Sequence, residues 1–92
     1  MSKEEAYMQT FQYTIRDELG LHARPAGMLV KEAKKYQSKI KISDGKKEVE
    51  ATKLMMIMNM AIKNGCCVTV TVEGEDEEKA AAELEQFFKA NM

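Results

Sequence analysis

The sequence predicts a single α+β domain in which a four-stranded antiparallel sheet carries helices on one face. Apolar and polar residues alternate, as they do in strands, over residues 8–15, 39–43 and 66–73. Apolar residues recur at helical spacing over residues 23–36 and 76–89. With a hairpin and a short apolar helix added, the elements follow the order β-α-β-β-α-β-α, which is typical of an open sandwich.

The composition is that of a globular protein, with 45% apolar and 32% charged residues. We expect residues 1–92 to form one domain with one modest core. The net charge of −1 gives no general attraction to nucleic acid or membranes. The charge is unevenly distributed, because residues 31–63 hold nine lysines against four acids and residues 73–85 hold seven acids against one lysine. This indicates either an acidic partner for the basic part or ordinary solvated faces of unlike sign.

The start of the chain is polar, and we expect residues 1–7 to form a loose N-terminal extension. They contain no apolar segment typical of a targeting signal, and no stretch of the chain is long enough to span a bilayer, so we expect a cytoplasmic protein. From Met8 to Ile15 the alternation places Phe11 and Tyr13 on one face of a half-buried strand, together with Ile15.

The first helix is predicted from about Ala23 to Tyr36. Pro25 fits only in the first turn, where its missing N–H is not needed, and this places the helix start close to His22. Gly27 costs about 1 kcal/mol relative to alanine inside a helix. We interpret it as room for the close approach of another backbone or of a partner side chain.

A hairpin follows the first helix. Residues Lys39–Ser43 alternate as a strand, and Asp44-Gly45 is a strong turn signal. Residues Lys46–Thr52 then return as the second strand, with Val49 facing the core.

The segment Leu54–Ile62 predicts a short helix that is apolar on nearly every side. Helical spacing divides its side chains into a core face with Ile57, Met60 and Ala61, and a second face with Leu54, Met55 and Met58. Because so short a helix cannot bury its whole circumference, the second face is predicted to be an exposed docking surface rich in methionine. The alternative is that these methionines only fill the core.

Residues Cys66–Glu73 form the clearest strand, and the neighbouring Cys66 and Cys67 point to opposite faces of it. We expect both to be reduced thiols, because a bridge between them is strained and no metal-binding spacing is present. Asp76 caps the last helix, whose apolar stripe consists of Ala80, Ala81, Leu84, Phe87 and Phe88.

The chemistry of the chain is concentrated in Gly20–Ala26, which contains the only histidine and the only proline. A helix start offers free backbone N–H groups and the positive end of a dipole, so it attracts anions. The neutral imidazole of His22 can act as a nucleophile, and the guanidinium of Arg24 can hold a phosphoryl group. These residues predict a phosphohistidine carrier, although a lone histidine and arginine at a helix start are often only a cap and a surface residue.

Other chemistries find no support in the sequence. There is no pair of carboxylates placed for acid–base catalysis, no serine–histidine–aspartate arrangement and no glycine-rich phosphate loop. We expect no metal site, because a second histidine is missing, and no cofactor. A single nucleophile on so small a domain favours a carrier over an enzyme.

At His22-Ala23-Arg24-Pro25-Ala26 the sequence resembles the histidine-containing phosphocarrier (HPr) family of the bacterial phosphoenolpyruvate-dependent sugar phosphotransferase system. The resemblance extends from about Met8 to Lys89 without an internal gap. It includes the helix that begins Leu54-Met55-Met56-Ile57-Met58 and the Gly74-Glu75-Asp76-Glu77 entry to the last helix.

The resemblance implies an open-faced β-sandwich of four antiparallel strands with three helices on one side. It also implies that His22 accepts phosphate at Nδ1 from phosphorylated Enzyme I and donates it to the IIA component of a sugar permease. Arg24 would neutralise the phosphoryl group, and the backbone N–H groups of Ala23 and Arg24 would receive its oxygens. Such a protein is a phosphotransfer intermediate and not an enzyme. The alternative is an HPr-like interaction or dedicated signalling module without general sugar phosphotransfer.

The resemblance further assigns a partner surface. Leu54, Met55 and Met58 would form the apolar docking patch, with Lys31 and Lys34 on its charged rim and Gly27 nearby. We expect protein partners only, with no nucleic acid and no membrane insertion, and a monomer.

Three positions depart from the family pattern. Lys53 replaces the serine that a regulatory kinase phosphorylates in many members, so no such regulation is expected. Gly27 replaces a common threonine or serine and Met56 a common glycine, and these changes are expected to affect the choice of partner.

Overall fold

A computed structural model describes residues 8–92, so the predicted loose extension of residues 1–7 lies outside the described residues. Four strands and three helices follow in the predicted order. They are β1 (Gln9–Thr14), α1 (Ala23–Ala33), β2 (Lys39–Ser43), β3 (Glu48–Glu50), α2 (Leu54–Asn59), β4 (Cys67–Glu73) and α3 (Glu77–Asn91). None of these helices is both long and apolar enough to cross a membrane.

The four strands form one antiparallel sheet in the order β1-β4-β2-β3. The central strand β4 pairs with β1 on one side and β2 on the other, so Val72 lies opposite both Gln9 and Ile40. Alternate residues of a strand point to opposite faces, and the valines at 68, 70 and 72 are accordingly buried while the threonines between them are partly exposed. The predicted α+β fold class is confirmed.

The three helices cover one face of the sheet and enclose the core. Helix α3 packs along β1 and β4, and α1 contacts both α2 and α3. Phe88 of α3 is fully buried, and the rings of Phe11 and Tyr13 meet it edge-on with centroids 5.7 and 5.6 Å away. These contacts confirm the predicted inward faces of the first strand and the last helix.

Helix α1 ends at Ala33, three residues before the predicted end at Tyr36. The chain leaves the helix because the carboxylate of Asp76 accepts hydrogen bonds from the amides of Gln37 and Ser38, each at 3.0 Å. Tyr36 is then free to place its hydroxyl within 3.0 Å of a Glu32 oxygen. The same hydroxyl lies 2.6 Å from Glu83, so it links α1 to α3.

Helix α2 ends at Asn59 and not at Ile62. Ile57 and Met60 are buried as predicted, but the assignment of Ala61 to the core is wrong. Ala61 is exposed and adopts a left-handed conformation with φ of +53°. The chain turns there, and the carbonyl of the next residue, Ile62, accepts a hydrogen bond from Leu21 at 2.9 Å.

The predicted hairpin is present, but its second strand is shorter than the predicted Lys46–Thr52. Strand β3 begins only at Glu48, because the amides of Lys46 and Lys47 donate to the Asp44 carboxylate, each at 2.9 Å.

Cys66 is half-buried and Cys67 is exposed, and both are free thiols. Burial raises the pKa of the Cys66 thiol above its usual value, which disfavours the reactive thiolate.

Candidate functional site

His22 is the residue at which α1 begins. Its backbone is extended, with φ of −82° and ψ of −170°, and its carbonyl accepts the amide of Ala26 at 2.9 Å. Its side chain makes no capping hydrogen bond, and about a third of that side chain, 32%, is exposed. The imidazole is therefore not used as a helix cap, and a partner protein can reach it.

The loop before His22 is fixed by contacts from distant parts of the chain. The Met92 carbonyl oxygen accepts hydrogen bonds from the amides of Arg16 and Asp17, both at 2.8 Å. Leu21 is buried and donates to Ile62. These contacts place His22 relative to α1 although the loop has no regular secondary structure.

Gly20 is the residue that the loop requires. It has a φ of +73°, a conformation that side chains disfavour. A Cβ atom there would lie 2.7 Å from the Cα of Lys63 and would also collide with the Ile62 carbonyl. The glycine of the motif thus allows the backbone of the loop to lie directly against the segment that follows α2.

Asp17 approaches the imidazole from this loop. Its Oδ1 lies 3.6 Å from Nε2 of His22 and accepts the amide of Leu19 at 2.9 Å. This residue was not among the predicted site residues. The sequence contains one signal for it: Asp17 precedes Leu19 by two residues in a loop, a spacing typical of a turn closed by an aspartate side chain.

The first turn of α1 is suited to an anion. The N–H groups of Ala23 and Arg24 belong to the first turn, where no intrahelical acceptor exists, and no acidic residue occupies that turn. Pro25 is buried in the first turn, as predicted. Within residues 8–92 the Arg24 guanidinium lies near the Met28 sulfur, at 3.9 Å, and forms no salt bridge. The structure thus brings His22 and Arg24 to one helix start.

A shallow groove runs along the exposed side of α1. It is lined by Arg24, Gly27, Met28, Val30, Lys31 and Lys34. A Cβ at Gly27 would meet nothing within 4 Å, so the expected close approach of another backbone is wrong. Room for a partner side chain stays a prediction.

Helix α2 presents an apolar surface next to α1. Ile57 is fully buried and anchors the helix, whereas the side chains of Leu54, Met55 and Met58 are exposed, Met55 by 66%. Met56 is also half exposed, but it lies beside Lys41 and Val49 of the hairpin and not on the predicted patch. Lys53 precedes the helix, is exposed and makes no capping hydrogen bond.

Metal binding has no support in the described part of the chain. Across residues 8–92, no three histidine, cysteine, aspartate or glutamate side chains are grouped so that they could hold a metal ion.

Comparisons with known proteins agree with this fold. A family model described as the PTS HPr component phosphorylation site matches residues 9–90. The phosphocarrier protein HPr of Mycoplasma capricolum is 40% identical over 79 residues, which cover 86% of this chain and 89% of the relative.

Two solved structures extend the comparison. The crystal structure of HPr-C-His from Thermoanaerobacter tengcongensis superposes with a TM-score of 0.85 at 34% identity, covering 90% of this chain and 93% of that one. Crh of Bacillus subtilis, described as an intertwined dimer with a swapped domain, superposes with a TM-score of 0.71 at 32% identity, covering 87% and 92%.

An open-faced sheet covered by three helices, with an uncapped histidine at a helix start, defines a small carrier domain. The chain belongs to the HPr family, the phosphocarrier proteins of the phosphotransferase system.

Proposed function

We propose that His22 is the residue that carries the phosphoryl group, taking it from phosphorylated Enzyme I and passing it to the IIA component of a sugar permease. One observation carries the proposal: the imidazole stands at the start of α1, a third exposed, with no hydrogen bond to the helix. A histidine that caps a helix uses its ring to form a hydrogen bond with the backbone, whereas a carrier needs a ring that two partners can reach in turn.

The transfer step moves one phosphoryl group and no proton. The lone pair of Nδ1 forms a bond to phosphorus, while the bond from phosphorus to the donor atom of Enzyme I breaks and its electron pair stays with that atom. The proton on Nε2 remains in place. Passing the group to a IIA component repeats the step in the opposite direction, with the imidazole as the leaving group.

The start of α1 supports the negatively charged product. The amides of Ala23 and Arg24 and the dipole of α1 favour an anion at this place. The uncommitted Arg24 guanidinium adds charge-assisted hydrogen bonds.

The partner surface is proposed to combine the apolar side chains of α2 with the lysines of α1. Leu54, Met55 and Met58 supply exposed apolar area, and Lys31 and Lys34 lie exposed on α1. Charges at the rim of an interface guide the approach of an oppositely charged partner, so acidic surfaces on Enzyme I and on the IIA component fit best. One domain holds both the site and the patch, which supports a monomeric carrier.

The proposal is tested by phosphorylation with phosphoenolpyruvate and purified Enzyme I. Intact mass spectrometry should show a gain of one phosphoryl group that brief acid treatment removes. His22→Ala should keep its circular dichroism spectrum and gain nothing. Absence of the gain in the wild-type chain, with a cognate Enzyme I that charges its own carrier, would refute the proposal.

A second candidate is an HPr-like interaction or dedicated signalling module that docks without sugar phosphotransfer. The exposed methionine-rich face of α2 and the likeness to Crh favour it. In that case His22→Ala leaves every partner interaction and its effect unchanged, whereas the replacement Met55→Glu abolishes docking.

A further inference from the structure

We infer that Asp17 is a positioning residue for His22: its carboxylate holds the N–H of Nε2 and so leaves Nδ1 as the nitrogen with the free lone pair. This inference rests on the proposed function and specifies which ring atom reacts and why.

The geometry places a carboxylate oxygen beside one ring nitrogen of His22. Oδ1 of Asp17 is 3.6 Å from Nε2, which is too long for a formed hydrogen bond in this structure. Hydrogen bonds at reacting groups are often long before the partner or substrate is bound and shorten in the complex. Of the two ring nitrogens, the structure gives Nε2 the carboxylate as its neighbour, which leaves Nδ1 for the phosphoryl group.

Asp17 is held from three sides, so its carboxylate has little freedom to turn away. Its amide donates to Met92 at 2.8 Å, and its carbonyl accepts the amide of Gly20 at 2.9 Å. Its Oδ1 also accepts the amide of Leu19 at 2.9 Å. A group fixed in this way acts on its neighbour without first losing rotamer entropy.

The carboxylate acts on the imidazole in both states of the cycle. Before transfer it favours the tautomer with the proton on Nε2, because a carboxylate can only accept a hydrogen bond. After transfer the ring carries both the phosphoryl group on Nδ1 and the proton on Nε2, so it is a cation, and Asp17 stabilises that charge. Arg24 and the start of α1 act on the phosphoryl oxygens instead. The positive groups therefore act at the Nδ1 side of the ring, and the negative carboxylate of Asp17 acts at the Nε2 side.

The tautomer can be measured directly because His22 is the only histidine of the chain. We would record long-range proton–nitrogen spectra of the uniformly labelled, tag-free protein at a pH where the ring is neutral. The wild type should show one pyridine-like nitrogen, Nδ1, and one protonated nitrogen, Nε2. In Asp17→Ala the two nitrogen shifts should move toward each other, and in Asp17→Asn, which keeps an acceptor for the amide of Leu19, they should move part of the way.

Transfer kinetics from phosphorylated Enzyme I supply the second readout. Asp17→Ala should lower kcat by roughly 10- to 100-fold, by analogy with the loss seen when the carboxylate that orients a metal-bound histidine is removed. KM should change little, because the proposed docking patch lies on α1 and α2. Glu18→Gln is the matched control, since it removes the neighbouring exposed carboxylate and should leave both spectra and kinetics unchanged.

The outcomes separate this inference from the proposed function. A wild-type chain that takes up no phosphoryl group overturns the proposed function, and Nδ1 as acceptor with it, whatever the spectra show. A wild-type chain that is phosphorylated while Asp17→Asn and Asp17→Ala, both folded, keep the wild-type spectra and kcat overturns the role of Asp17 alone.

Discussion

The two longer helices begin in opposite ways. Helix α3 follows Asp76 and carries Glu77 and Glu78 in its first turn, whereas α1 follows His22 and carries no acid there. Asp76 is the N-cap residue of α3, but its side chain makes no capping hydrogen bond, so the predicted cap is wrong in that respect. The Asp76 carboxylate instead accepts hydrogen bonds from the amides of Gln37 and Ser38 and from the Ser38 hydroxyl. Glu77 is buried and accepts the amide of Gly74 at 3.0 Å.

The same physical feature therefore has two uses in one molecule. Every helix start attracts negative charge. At α3 the protein supplies that charge itself and uses it to attach the chain after α1 to the start of α3. At α1 the charge is left out, so the attraction remains available for an anion brought by a partner. Changing the charge at each helix start tests this contrast, and the largest effect is expected at α3.

Removing the internal anion at α3 should cost the most stability. Asp76→Ala leaves the amides of Gln37 and Ser38 without their acceptor, and we expect the free energy of unfolding to fall by about 2–4 kcal/mol. Urea denaturation measures this change. Phosphoryl uptake by the folded fraction should be unchanged. The control is Glu78→Ala, which removes an exposed acid of the same turn and should lower the free energy of unfolding much less. Equal losses in the two variants would show that α3 does not depend on Asp76.

Adding an anion to α1 should block the site without harming the fold. In Ala23→Glu the new exposed carboxylate repels the incoming phosphoryl group, with an energy of about 1–3 kcal/mol at such distances. We expect the transfer rate to fall by roughly 10- to 100-fold. The free energy of unfolding should stay equal or rise slightly, because the acid suits the helix dipole.

The matched control for this change is Ala82→Glu, which adds the same charge to an exposed position of α3. It should transfer at the wild-type rate. If both variants slowed transfer equally, the effect would come from net charge and not from the start of α1.

Acid should weaken the molecule through the start of α3. The Ser38 hydroxyl, followed by the Gln37 amide, lowers the pKa of Asp76 below its usual value. A carboxyl with a lowered folded-state pKa stabilises the fold fully above its unfolded pKa of about 3.9, and this contribution is lost as the pH falls through the folded pKa. Melting temperatures between about pH 6 and pH 2 should therefore fall less steeply for Asp76→Asn than for the wild type. Parallel curves would show that another group controls the acid limit.

The start of α2 should show the smallest effect. Lys53 places a cation at this helix start and supplies no cap. Lys53→Ser should raise the free energy of unfolding by about 0.5–1 kcal/mol, because serine can accept a first-turn amide. Lys53→Ala separates the two causes, since it removes the charge without adding a cap. If Lys53→Ala stabilises as much as Lys53→Ser, the charge alone is responsible.

The sequence predicted those features that depend on neighbouring residues. Alternation at 68–72 and the Asp44-Gly45 turn identified strands and their hairpin, and Pro25 located the start of α1. The ends of α1 and α2 were missed because distant groups set them. Asp76 draws the chain out of α1, and the loop before His22 requires the turn at Ala61.

The residues of the candidate site show the same difference between features set by neighbouring residues and features set by distant contacts. His22 and Arg24 could be found from sequence because they share one helical turn, and Pro25 fixes that turn. Asp17 could be predicted only as a turn residue, because its approach to the imidazole depends on contacts with Met92 and on the closure of the loop against Ile62. Periodicity contains no information about such distant backbone contacts.

The attachment of the loop before His22 to the carbonyl of Met92 links the site to the order of chain synthesis. A ribosome releases His22 long before the last turn of α3 exists, so an emerging chain carries the histidine but not the placed Asp17. The site is completed only when Met92, the residue directly after α3, reaches the loop. A chain in which the end of α3 has frayed would thus lose the alignment of its imidazole, while α2 still offered its methionines to a partner.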